Sequence, residues 1–113
     1  MHDMDARLPA HIEVSGLVRQ VSAAGGFAAV LCKGEREAGT ILVVLTENGK
    51  DSRAYERMPQ LDGTRAWHCS KRQIAESAED FANYLERRAS QDPDLWLIEL
   101  DIADGERFIG LTP

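Results

Sequence analysis

The sequence is poor in features that announce a function. No stretch approaches the roughly 20 apolar residues that a bilayer-spanning helix needs, so none is expected. Cysteine occurs only as Cys32 and Cys69. One possible pair is no disulfide framework, and a reducing, cytoplasmic setting is the simplest reading. Basic clusters are limited to "SKRQ" (residues 70–73) and "ERR" (residues 86–88) in a chain of formal charge −6. Nucleic acid and anionic membranes both demand a basic face, so neither is expected as a partner. Repeats, low-complexity tracts and linkers are missing too. The amino end, "MHDMDARLPAH", is polar and mixed in charge, unlike a secretory signal.

Metal spacing is equally scarce. His2, His11 and His68 have no cysteine or carboxylate pattern around them that completes a zinc set. No metal or cofactor is expected.

What remains is an ordinary globular composition, 43% hydrophobic and 28% charged over 113 residues. That suits one domain, residues 1–113, with about residues 1–8 as a flexible tail. Val14, Leu17, Val18 and Val21 recur at helical spacing and predict a helix over residues 10–23, stopped by Gly25 and Gly26. Two strongly apolar runs follow, "FAAVLCK" (27–33) and "TILVVLT" (40–46). Gly34 and Gly39 frame the loop "GEREAG", which predicts a turn between paired strands. Asn48-Gly49 marks a tight turn into a strand near residues 52–58, and "RAWHC" (65–69) predicts a fourth strand. Ile74, Ala78, Phe81, Ala82, Leu85 and Ala89 form the stripe of a second helix. After Asp104-Gly105, "RFIG" predicts a short last strand.

The passage "DPDLWLIELD" (92–101) asks to be read as a site or as a corner. A residue before proline is pushed out of the α region, so Asp92 is where the second helix should stop. Arg88, one turn earlier, or a backbone N–H in the turn would offset the carboxylate there. Beyond Pro93 and Asp94, residues Trp96, Ile98, Leu100 and Ile102 share one face. Trp96 is then a core anchor whose indole N–H needs a buried partner. Corner is the preferred reading.

These residues also carry a resemblance. "GGFAAVLCKGEREAGTILVVL" with "LERRASQDPDLWLIELD" resembles a family of small alphaproteobacterial proteins, domain of unknown function 1491. The likeness runs from about Leu8 onward, with Asp92, Pro93, Asp94 and Trp96 its most distinctive mark, and is thinnest over residues 48–71. It implies a single α+β domain in a bacterial cytoplasm, and brings no activity or cofactor.

Candidate chemistry is sparse. "HCSKR" sets Cys69 beside His68 and basic residues, which could activate a thiol. Successive strand residues point to opposite faces, however, and a phosphatase-type loop would need arginine where Ala75 stands. Glu99 and Asp101 share a strand face and could form an acid/base pair. Packing for the first, and the wet end of a strand for the second, are the plainer readings. "GEREAG" carries Glu35 and Glu37, which repel phosphate.

The expected architecture is a two-layer α+β domain: a mostly antiparallel sheet of five to six strands with both helices on one face. Strands 27–33 and 40–46, apolar on both sides, would be central. The uncovered face would then keep on the order of 500 Å² of apolar surface, which predicts a non-catalytic module that binds a protein or forms a homodimer. A small hydrolase or thiol enzyme, using Cys69/His68 or Glu99/Asp101, is the alternative.

Overall fold

A computed structural model of the chain describes residues 8–74 and 78–111. In order, its elements are α1 (Ala10–Ala23), β1 (Phe27–Cys32), β2 (Ile41–Glu47), β3 (Lys50–Pro59), β4 (Arg65–Arg72), α2 (Ala78–Gln91), β5 (Trp96–Asp101) and a closing 3-10 helix (Gly105–Ile109). The five strands form one sheet in the order β1-β5-β2-β3-β4. Only β2 and β5 run parallel; the other neighbours are antiparallel. This is the α+β domain expected from the sequence.

Helix α1 buries Ala10, Val14, Leu17 and Val21. Its exit follows from Gly25, which takes φ +92°, and from the Gly26 N–H, which returns to the Val21 carbonyl at 2.9 Å. Its first N–H groups are satisfied from outside the helix: Ala10 donates to Glu37 O and His11 to Arg36 O, both at 2.9 Å. The "GEREAG" loop thus caps α1.

That loop does not join paired strands. β5 lies between β1 and β2, so the expected hairpin is replaced by a connection over the end of β5. The true hairpin is β2–β3, where Asn48 and Gly49 take φ +54° and +76°.

The two helices lie on opposite faces, not on one. α1 packs with Ile41, Val43, Leu45, Tyr55, Trp96, Ile98 and Leu100. α2 sends Phe81 against Leu42, Val44, Ala54, Leu95 and Leu97 on the other side. Adjacent residues of β2 and β5 feed different layers, which is why β2 is buried through six consecutive positions. The large bare face expected from the sequence is therefore covered by α2.

Two further expectations change. "RFIG" belongs to the 3-10 helix, entered at Asp104 with φ +53° and left at Gly110 with φ +80°. Ile74 lies before the described helix and is 58% exposed, while residues 75–77 fall outside the described residues, as does most of the expected tail, 1–7.

Polar contacts fasten these layers. Arg53, only 5% exposed, meets Glu106 through two hydrogen bonds of 2.7 and 2.8 Å, and the Tyr55 hydroxyl donates to the same carboxylate at 3.0 Å. The Arg53 guanidinium holds the Glu106 carboxyl down to about 2, against the opposing effect of burial. On the other face Arg88 makes a bidentate pair with Glu56, both arms 2.8 Å, and ties α2 to β3.

Candidate functional site

The corner residues are brought together against Glu35, whose main-chain N–H and carbonyl they engage. Asp92 Oδ1 accepts from the Asp94 N–H at 3.0 Å, an aspartate turn, while Arg88 is engaged with Glu56 rather than with Asp92. The Asp94 carbonyl accepts from the Glu35 N–H at 3.0 Å, and the Trp96 indole N–H donates to the Glu35 carbonyl at 2.7 Å. Gly34 and Gly39 are required by this approach: a Cβ on either would overlap the Asp94 carbonyl oxygen. Pro93 sits in the same turn. The arrangement locks a loop to a strand.

The residues of the enzyme reading are dispersed. Cys69 pairs with Tyr55 and His68 with Glu56, on alternate faces of β4. The Cys69 thiol donates to the Lys71 carbonyl at 3.6 Å, and His68 Nε2 meets Gln60 Nε2 at 3.1 Å. Asp101 is engaged structurally, its Oδ1 accepting from the Asn48 N–H at 2.7 Å across the β2–β3 turn. Glu99 sits beside it, half-buried, between Ala29 and Val44. Both cysteines are free, and their strands β1 and β4 form opposite edges of the sheet, so they do not bridge. Among the described residues no group of three or more His, Cys, Asp or Glu side chains is placed to hold a metal.

The unexpected feature is β1. Sequence apolarity marks it as central, yet it is an edge strand with Phe27 78%, Val30 39% and Leu31 47% exposed. Backbone directions follow from the neighbouring ladder. The Trp96 N–H donates to Thr40 O at 2.8 Å and the Ile102 N–H to Thr46 O at 3.0 Å, so even-numbered β5 residues face β2. Glu99 and Asp101 consequently turn their backbone groups toward β1, to their partners Ala29 and Phe27. Ala28 and Val30 alternate with these and point their N–H and C=O groups out from the sheet.

The opposite edge is guarded. β4 reads "RAWHCSKR", with Arg65 at one end and Lys71 and Arg72 at the other, cationic residues of the kind that discourage strand pairing. β1 reads "FAAVLC" and has neither charge nor proline. A register irregularity between Val30 and Cys32 is its one deviation, leaving Leu31 without a partner on β5.

A second surface feature is a shallow depression on the α1 side, lined by Leu8, Ile12, Gly16, Trp67 and Phe108 among others. Arg57 stacks over the Trp67 ring at 4.9 Å and is itself paired with Glu13 at 2.8 Å.

Comparison with known proteins adds family but no chemistry. The family model described as "Protein of unknown function (DUF1491)" matches residues 8–110. A crystal structure of a DUF1491 family protein from Caulobacter crescentus CB15 is similar, with 33% identity and a TM-score of 0.81, covering 92% of this chain and 96% of that one. An NMR structure of a DUF1491 family protein from the same organism gives 33% identity and 0.76 over 89% and 91% of the two chains. A solution structure of a protein from A. tumefaciens gives 33% and 0.69 over 88% and 89%. No curated protein matches.

Proposed function

This chain belongs to the DUF1491 family, whose description assigns no activity, and from its own geometry we propose that it is a non-catalytic protein-binding module. It takes an extended polypeptide segment onto the free edge of β1. One observation carries the reading: of the two sheet edges among the described residues, the one free of charge and proline is also the one whose large apolar side chains stand in water.

Strand addition needs outward main-chain donors and acceptors together with apolar contacts for alternate side chains. Ala28 and Val30 supply the first; Phe27 and Leu31 supply the second. Apolar side chains at an unprotected edge are a liability unless something covers them, and β4 illustrates the protection that β1 lacks. The two unpaired cysteines suit a reducing cytoplasm.

The test is titration of the isotope-labelled chain with a synthetic peptide of its own residues 26–33, under reducing conditions, followed by amide resonances. Saturable shifts centred on Ala28 and Val30 support the reading. Shifts confined to the α1 depression around Trp67, or none at all, remove it.

A further inference from the structure

The β1 edge fits one occupant in particular. Resting on the reading of β1 as a pairing edge, we propose that the natural occupant is β1 of a second copy of this chain, antiparallel about a two-fold axis through Ala29.

The register follows from the outward backbone groups. Antiparallel pairing makes main-chain bonds only where outward-facing residues of the two strands stand opposite one another. Placing Ala28 opposite Val30 of the other copy, and Val30 opposite its Ala28, engages every outward group of the regular part of β1. Centring on Ala28 leaves Val30 facing Gly26, whose N–H is already taken by Val21 O. Centring on Val30 sets Ala28 opposite Cys32, which pairs inward with Leu97. Only the Ala29-centred register uses both residues from both chains.

Side chains agree with that register. Phe27, the most exposed aromatic on the edge at 78%, comes opposite Leu31 of the other copy, itself 47% exposed, and symmetry repeats the contact. At the axis Ala29 meets Ala29, and small side chains permit the close approach of a non-hydrogen-bonded pair, about 4.5 Å between Cα atoms. No charge lies between Phe27 and Cys32, so the two-fold brings no like charges together. The contact is also closed. Each copy uses the same edge, and the cationic β4 edges stay at the far ends of the joined sheet, so growth stops at a dimer. A single-strand contact is small, which places the association between about 1 µM and 1 mM.

Sedimentation velocity of the full chain under reducing conditions, over that concentration range, tests this beside Ala29→Lys, a substitution at an exposed position. The expected result is a monomer that converts to dimer and no further, with Ala29→Lys monomeric throughout and unchanged in circular dichroism. A wild-type chain still monomeric at the top of the range overturns the proposal. Growth past dimer overturns it as well, and so does equal association by Ala29→Lys. If the chain stays monomeric while the peptide of residues 26–33 shifts Ala28 and Val30, the second-copy proposal fails and the strand-binding reading stands. Should the peptide also leave those amides unmoved, both fall.

Discussion

The Trp96 indole N–H donates to the Glu35 main-chain carbonyl at 2.7 Å, joining the first residue of β5 to a loop 61 positions earlier in the chain. Through that bond the Asp92–Trp96 corner and the "GEREAG" loop act as one unit. The same loop caps α1, so one tryptophan sets the entry of β5 and the start of the first helix together.

Trp96→Phe keeps an aromatic ring in the core but removes the donor. The Glu35 carbonyl then keeps only the longer bond from the Gly39 N–H, at 3.3 Å, and we expect a loss of about 0.5–1.5 kcal/mol in urea unfolding with the fold retained. Gly34→Ala should cost more, because its Cβ has no room beside the Asp94 carbonyl and main chain cannot step aside cheaply.

Gly16→Ala should act in the opposite direction. Gly16 lies inside α1, and a Cβ there meets nothing within 4 Å. Alanine is the better helix former, so a gain of about 0.5–1 kcal/mol is expected by thermal or chemical unfolding.

The Arg53–Glu106 pair gives a pH signature. Glu106 is depressed to about 2 when folded, below the ordinary glutamate value of about 4.3. Its stabilisation is therefore complete above about pH 4.3 and is lost as pH falls toward 2. Glu106→Gln leaves the buried Arg53 guanidinium with only the longer ion pair to Glu47, at 3.7 Å, and should cost about 1–3 kcal/mol at neutral pH. Less of the stability of that variant should disappear on acidification from pH 4.3 to 2, as read from urea midpoints across that range.

Cys69→Ser bears on the thiol-enzyme alternative. Cys69 is exposed and its thiol makes one long hydrogen bond, to a backbone carbonyl, so the substitution should leave stability within about 0.5 kcal/mol and leave association unchanged. A larger change in either would give the thiol a role that its surroundings do not suggest.

Local pattern carried much of the fold. The stripe from Val14 to Val21 marked α1, and Asn48-Gly49 marked the β2–β3 hairpin, because each is set by neighbours in sequence. Strand order was not legible: the insertion of β5 between β1 and β2 depends on pairings 55 to 74 positions apart. The burial of Arg53 was not legible either, because its partner Glu106 lies 53 positions away. β1 is the most instructive case. "FAAVLC" and "ILVVLT" look alike on the page, yet one is an open edge and the other is sealed on both faces. Apolarity signals that a strand is to be covered and does not say whether its own chain does the covering. The bare face expected from the sequence is covered by α2, and the exposed apolar side chains of β1 lie instead at a sheet edge, on a strand that sequence apolarity marks as central.

Amide hydrogen exchange at Ala28 and Val30, followed as chain concentration is raised, tests the central claim most directly. In dilute solution both amides should exchange quickly while Ala29, bonded toward β5, is protected. As association proceeds, protection should appear at Ala28 and Val30 together. Rapid exchange at both positions at every concentration, or slow exchange already in dilute solution, would contradict the account.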